Sequence, residues 1–389
     1  MKIKIFLLLL FTACLTLQAQ NTEKPKLTFL SQMDEIMKGV PVYWKTTLDD
    51  IEKAVSIVRK GKVERVCLSA GGRPVYRIYY GTPSDVKRTA NLSSAMGAGN
   101  PKYYADKTAP DYLPTLFLVG AVHAGELEGT AALVNLIYIF ETGKDLAGKA
   151  HPAITAFFDK VNFIIIPIAN PDGRARMPLP SMMHLDFESF RYLGQGTWKD
   201  GTLTGYPSCK SVLPIKEASE FLGSYFNDDG INLMHDFFFT NPAAETKAIL
   251  QTAETFAPDF SVLFHGGSNN KPHMAGSAYL IQTTKAKINA FQQFIADEFK
   301  KQEFSLGGEG VNDRVGNSFN LTSAISHVSG EPAITFESNQ GLNYVNEREP
   351  WLVKYSYDEI YMHHILSIEG LCKFVLNPPL LPAQNERQR

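Results

Sequence analysis

Four side chains of this sequence have the types and settings that zinc hydrolysis needs. His123 and Glu126 stand three residues apart in Val122-His-Ala-Gly-Glu, His265 follows Phe264, and Glu337 follows Phe336. Zinc accepts imidazole nitrogen and carboxylate oxygen, and a catalytic site uses three protein ligands with one position left open. His123, Glu126 and His265 supply such a triad. Glu337 is a carboxylate available to move a proton. Taken alone, each has a plainer role: an acidic first helical turn, a capped strand end, a solvated strand end.

What gives the four weight is the elements that must position them. Residues 116–122, 259–264 and 332–336 are short apolar, β-prone runs, and each ends at one of these residues. Residues 161–169 (VNFIIIPIA) form a further, nearly unbroken apolar run, as expected of a central strand covered on both faces. It ends in Asn170-Pro171-Asp172-Gly173, a turn sequence. Helical patterns occupy residues 48–59, 130–140, 243–255, 285–302 and 353–376. Strands are expected at 63–69 and 74–80, joined by a hairpin turn through Ala70-Gly71-Gly72-Arg73, and at 278–283. Residues 84–112 read as a polar surface excursion. Residues 174–229 carry no clear period apart from a helix expected near 215–226. Strands alternating with helices argue for a three-layer α/β/α sandwich with a mixed, mostly parallel central sheet. In such sheets the site lies beyond the carboxyl ends of the strands, where all four residues fall.

The chain has 389 residues, 44% hydrophobic and 20% charged, with a formal net charge of −2. This is ample for a large core and, without a Pro/Gly/Ser-rich divider, for one domain over residues 45–377. Residues 1–20, with Lys2 and Lys4 before an apolar run, read as a secretory signal peptide. Export is therefore expected, to the periplasm or beyond, with lipid anchoring through Cys14 as the lesser alternative. Residues 21–44 are a leader and 378–389 a polar tail. No second apolar run of membrane-spanning length follows, and no basic face suggests nucleic acid. Cys67, Cys209 and Cys372 are widely spaced and do not form a zinc-binding pattern; one disulfide among them is open.

With these motifs in place, the sequence resembles the zinc carboxypeptidase (funnelin) family over about residues 45–375. The resemblance is carried by Gly72-Arg73-Pro74-Val75, His123 with Glu126, Asn170 to Gly173, His265 in Phe-His-Gly-Gly, and Thr335-Phe336-Glu337. It implies a metallocarboxypeptidase-like fold and one zinc per chain on His123, Glu126 and His265. It also implies Glu337 as general base and a peptide substrate.

The same resemblance marks a departure. Where the family has an acidic residue followed by an Asn-Arg pair, this chain has Asn232, then Met234 and His235. Asn232 would orient His123 without lending charge, and His235 would replace the arginine that grips a terminal carboxylate. Both are taken as substrate-side residues, with Arg314 or Lys271 as other sources of a carboxylate contact. For the oxyanion-stabilising cation, Arg174, Arg176 and Arg191 are open, and Arg176 is the residue taken here. The family's mobile tyrosine has Phe319 near its place, with Tyr279 less well placed. His184, His273, His327, His363 and His364 are expected at the surface or in packing, and His151 in a loop. The expected activity is an exported carboxypeptidase-type metallopeptidase acting on peptides, including cell-wall or modified ones. The alternatives are a zinc amide deacylase on small acyl-amino acids and a non-catalytic zinc- or peptide-binding relative.

Overall fold

The computed structural model describes residues 24–82, 88–267, 271–307, 318–342 and 353–378. The expected signal peptide with Cys14, almost all of the tail, and Arg314 lie outside the described residues.

A seven-stranded sheet runs in the order β1-β2-β4-β3-β7-β9-β8. Its strands are β1 (Lys62–Leu68), β2 (Pro74–Tyr80), β3 (Thr115–Gly120), β4 (Asn162–Ile166), β7 (Phe260–Gly266), β8 (His273–Gly276) and β9 (Ala333–Ser338). The four central strands, β4, β3, β7 and β9, are parallel. Antiparallel strands close both margins: the β1–β2 hairpin beside β4, and β8 beside β9. The unbroken apolar runs became strands with every residue buried, as in β3, β4 and β7. Such strands need a helical layer on each face.

Alternate residues divide between the two layers. Leu116, Leu118, Phe163, Ile165, Val262 and Phe264 pack on one side, with α3 (Glu128–Thr142), α6 (Gln282–Lys301) and α8 (Tyr357–Leu376). Phe117, Val119, Ile164, Ile166 and Leu263 pack on the other, with α5 (Ala244–Phe256) and α7 (Leu321–Ser329). This is the expected α/β/α sandwich. Gly129 in α3 shows how close the layers come: an added Cβ would lie 2.2 Å from the Cβ of Phe264. His363 and His364 are packing residues on the buried face of α8.

Part of the leader also folds. α1 (Phe29–Lys38) sets Phe29 and Ile36 in a small core with Leu179, Met182 and Leu342. α2 (Leu48–Ser56) starts from Thr47, whose hydroxyl accepts from Asp50 N–H while Asp50 accepts from the Thr47 N–H. This reciprocal arrangement satisfies two orphan donors.

The structure corrects two expected elements. No helix forms near 215–226; a 3-10 turn at Lys216–Ala218 leads into β6 (Ser219–Leu222), which pairs with β5 (Gly196–Trp198). The strand expected at 278–283 is β8, five residues earlier, because backbone pairing to β9 fixes it there and α6 already begins at Gln282. Within the unassigned stretch, α4 (Phe187–Gln195) is capped by Asp186. Cys67, Cys209 and Cys372 are unpaired. Among the described residues no helix is long and apolar enough to cross a membrane.

Candidate metal centre

The carboxyl ends of β3, β7 and β9 meet at one place. After β3 the chain bends sharply at Ala121, whose φ is +47°, and then delivers His123 and Glu126 in a tight turn closed by Glu126 N–H to the His123 carbonyl at 3.0 Å. The Ser224 carbonyl braces that turn, accepting from Ala124 N–H at 2.9 Å and from Asn170 Nδ2 at 3.3 Å. The segment Asn170 to Gly173 is therefore more than a reversal. Asn170 caps a short helical turn through Gly173 N–H at 2.9 Å, and Gly173 is packed so tightly that a Cβ would fall 2.4 Å from the Ser224 carbonyl oxygen.

His123, Glu126 and His265 are 7%, 5% and 3% exposed. His123 Nδ1 lies 3.0 Å from Glu126 Oε1, and His265 Nδ1 lies 2.7 Å from Glu126 Oε2. One ligand atom from each falls within 4.8 Å of the others. The far nitrogen of His123, Nε2, is 3.1 Å from Asn232 Oδ1. Donation there places the ring proton on Nε2 and leaves Nδ1 as a lone pair facing the carboxylate, the form a metal requires. The Tyr225 ring stacks on His123 with centroids 3.8 Å apart and planes at 4°.

Electrostatics favour a cation here. Burial opposes the charge on Glu126, but the two histidines outweigh it and hold its carboxyl well below the usual range. Burial pulls His265 down, and Glu126 and then Glu337 raise it above its ordinary value. Glu128, two residues past Glu126 and fully enclosed, is pushed up to about 8 by burial, with the charges of Glu126 and Glu337 adding to the rise. Burial likewise raises Glu337, and Glu126 adds to it while His265 opposes. Three glutamates and two histidines gathered in a desolvated place, with no lysine or arginine among the described residues paired to them, are a donor set that a divalent ion neutralises. The residues present fit zinc: two imidazoles and one carboxylate, leaving room for a fourth group.

The centre opens into a cavity of about 740 Å³. Glu337 stands in it, paired in register with His265 on β7 and with His273 on β8. Gly267 keeps the approach to Glu337 clear; a Cβ there would meet Glu337 Oε2 at 2.8 Å. His235 and Met234 line the wall. Burial lowers His235 to about 3, helped by the charge of Lys210, so it faces the cavity as a neutral ring and not as a substitute for arginine.

Two expected site residues are corrected. Arg176 is not in the cavity wall. Its guanidinium donates to the carbonyls of Leu222, Gly223 and Phe226 and pairs with Asp228, tying down the 222–228 loop. Asn232 does not line the cavity either; it holds His123 from behind and accepts from Met234 N–H at 3.0 Å. Of the other open arginines, Arg174 is buried on the carbonyls of Thr46 and Met177, while Arg191 lines the cavity. Lys271 is exposed and outside the lining.

Among the cavity residues that the sequence reading missed are Gln195, Lys210, Tyr225 and His273. His273 lies on β8, the edge strand that the sequence reading placed five residues later. The other three come from the stretch 174–229, where no period announced an element.

The fold and this centre together define an α/β/α protein with a buried His-Glu-His group able to hold a metal ion. Residues 60–183, which hold β1 to β4 with His123 and Glu126, match the family described as zinc carboxypeptidase. Over that stretch, about a third of its length, the chain is similar to the zinc carboxypeptidase family. Among solved structures it is similar to a carboxypeptidase A candidate from Shewanella denitrificans, at 15% identity and a TM-score of 0.53, with 84% of this chain and 67% of that one covered. It is similar to a metallo-carboxypeptidase from Burkholderia cenocepacia at 16% identity and 0.52, with 84% and 67% covered. A carboxypeptidase candidate from Burkholderia mallei aligns at 14% identity and 0.51, with 84% and 66% covered. At such identities these likenesses show the fold. No curated protein matches.

Proposed function

We propose that this protein is an exported zinc metallopeptidase of carboxypeptidase type, with one zinc per chain and Glu337 as the base that drives amide hydrolysis. The observation that carries the reading is the meeting of His123 Nδ1, His265 Nδ1 and the Glu126 carboxylate beside a half-buried Glu337 in an open cavity. Export rests on residues 1–20 of the sequence.

His123, Glu126 and His265 would hold the ion; when bound, zinc supplies a Lewis acid that acidifies water and polarises a carbonyl. Glu337 takes the proton of the attacking water on its carboxylate and hands it to the leaving amide nitrogen. Burial raises its pKa, and a carboxylate so raised is a stronger base toward the proton of the attacking water. Asn232 and Tyr225 keep the His123 ring fixed by an edge contact and a face contact. Among the described residues, Arg191 and Lys210 are the cations that line the cavity, Arg191 lying 4.5 Å over the Phe187 ring and Lys210 Nζ 4.5 Å over the Tyr206 ring. They supply the positive potential for an oxyanion or a substrate carboxylate. Those roles fall to them because His235 is neutral and Arg176 is turned elsewhere.

The neutral Met234–His235 wall favours a second reading, a deacylase of small acyl-amino acids. One experiment separates the readings: zinc content by elemental analysis, with hydrolysis of a peptide library and an acyl-amino-acid panel followed by mass spectrometry. Parent protein and Glu337→Gln are compared. Peptide trimming at one zinc per chain, reduced about 10²–10⁴-fold in the variant with zinc retained, supports the peptidase. Turnover confined to acyl-amino acids supports the second reading, and zinc without any turnover sinks both.

A further inference from the structure

The loop at residues 222–228 meets the turn that carries His123 and Glu126 at three places. The Ser224 carbonyl accepts from Ala124 N–H at 2.9 Å. Ser224 also fills the space over Gly125, where a Cβ would fall 2.5 Å from Ser224 Oγ. The Tyr225 ring lies flat on the His123 ring, with centroids 3.8 Å apart. Packing this close passes any shift of the loop on to the ligand ring. One edge of the loop is held by backbone: Ser224 N–H and Tyr225 N–H donate to the Leu193 and Gly194 carbonyls, at 2.8 and 3.0 Å, near the end of α4. The other edge is held by charge. Arg176 Nε donates to the Leu222 carbonyl at 3.0 Å, Nη2 donates to the carbonyls of Gly223, at 3.2 Å, and Phe226, and Nη1 pairs with Asp228 Oδ1. Asp228 Oδ2 takes Arg73 Nη1 at 2.8 Å, and the same nitrogen lies 2.9 Å from Asp172 Oδ1. Asp172 is wholly buried and also accepts from Asp228 N–H at 3.0 Å and from Gly71 N–H at 2.9 Å. Two arginines and two aspartates thus join the β1–β2 hairpin turn, the turn after β4 and the loop, and none of the four lines the cavity.

An ion network of this kind gains little net stability over apolar packing. What it supplies is direction, because a planar guanidinium with donors on every edge accepts one arrangement of acceptors around it. We infer that Arg176, with Asp228, is a positioning residue for the metal centre: it holds the 222–228 loop so that Ser224 and Tyr225 set the His123 ring for its ion. The inference rests on the metal reading of His123, Glu126 and His265. Groups that orient a metal ligand ordinarily bond to it directly; here the orientation is passed on through one loop. A lysine at 176 keeps the charge, but three donors on a single nitrogen cannot serve three carbonyls and a carboxylate spread around the fork.

The test reads the metal and not turnover. Zinc affinity is measured by chelator competition, and the protein is also loaded with Co2+, whose visible absorption follows the geometry of its ligands. Parent, Arg176→Lys, Asp228→Asn, Tyr225→Phe and Tyr225→Leu are compared, with a urea titration of each to record stability. Arg176→Lys and Tyr225→Leu should each bind zinc about 10–100-fold more weakly and shift the cobalt spectrum. Asp228→Asn should weaken zinc about threefold to tenfold, and Tyr225→Phe, which keeps the stacked face, should stay within about twofold of the parent. Lys107→Met breaks ion pairs with Asp259 and Glu331 at the other ends of β7 and β9; it should lose stability and leave both metal readouts at the parental values. Parental zinc affinity and cobalt spectrum in folded Arg176→Lys overturn the inference. Should that variant not fold, Asp228→Asn decides in the same way. An equal loss of zinc affinity in Lys107→Met would tie the effect to global stability and overturn it too. If the parent takes up neither ion, the metal reading fails and the inference with it.

Discussion

The same three strands, β3, β7 and β9, carry a charge cluster at each end, half-buried at the amino end and buried deeper at the carboxyl end, and the two clusters are built on opposite plans. At the amino end, Lys107 Nζ lies 3.1 Å from Asp259 and 3.2 Å from Glu331. Lys287 also pairs with Glu331, and Asp259 accepts from Thr115 N–H at 2.7 Å. Burial works against the Lys107 charge, yet Glu331 and Asp259 raise its pKa above the ordinary lysine value. Each acid there has its own cation. At the carboxyl end Glu126, Glu128 and Glu337 gather around two histidines, with no lysine or arginine among the described residues paired to them. Both Glu128 oxygens and His265 Nε2 lack a partner among the described residues. The amino end neutralises itself and ties strands together. The carboxyl end presents a donor set that a cation from outside would neutralise, which is the proposed difference between a structural ion cluster and a site.

That contrast can be broken at either end. The largest effect is expected at the carboxyl end: His265→Ala should bring zinc from one per chain to near none and cut turnover more than about 10³-fold, checked by elemental analysis and kinetics. If zinc stays bound at parental stoichiometry, the three-residue ligand set is wrong. At the amino end, Lys107→Met should leave zinc content alone and cost about 3 kcal/mol of stability in a urea titration, since two half-buried carboxylates lose a partner. A loss of metal in that variant would erase the distinction drawn between the ends.

The behind-ring contact offers a finer probe. Asn232→Ala should weaken zinc affinity about 10–100-fold in a chelator competition, while Asn232→Asp should restore or exceed the parent. Equal affinity in all three would leave Asn232 as a loop cap only.

The smallest effect concerns buried histidines that belong to neither cluster. Burial lowers His363 to about 4 and His364 to about 3, against 6.5 in the unfolded chain. A depressed folded pKa means the unfolded state takes up protons first. Stability is therefore full above about pH 6.5 and declines below it, until pH reaches about 4 for His363 and about 3 for His364. By pH 5 each would cost about 2 kcal/mol. His363→Phe should flatten part of that decline between pH 7 and pH 5 in paired urea titrations. A decline as steep as the parent's would show that the acid sensitivity lies elsewhere.

The central strands and what stands at their ends were legible because a strand buried on both faces must be apolar throughout. An ionisable residue at the end of such a run stands out. His123, Glu126, His265 and Glu337 were found that way, and the structure brings them together. The β8 edge strand is only four residues long, and its sequence, His-Met-Ala-Gly, carries no alternation to announce it. His273 was therefore invisible as a neighbour of Glu337. Arg176 was misplaced for a related reason. Nothing in 174–229 reveals that β5 and β6 fold back over it, so that the carbonyls of Leu222, Gly223 and Phe226 capture its guanidinium. Lys210 and Tyr225 reach the cavity through the same fold-back. Residues whose partners are backbone carbonyls of a distant loop leave no trace in local pattern.

Asn232 has one further consequence. A single oxygen accepts both from the His123 ring and from Met234 N–H, at the head of the turn that carries Met234 and His235. The cavity wall and the back of a proposed metal ligand thus share one atom. Mutations that reshape the wall will be filtered by whether they leave that oxygen in place. Selectivity in this segment should therefore evolve through the side chains at 234 and 235 and not through insertions or deletions, and substitutions there should be epistatic with position 232.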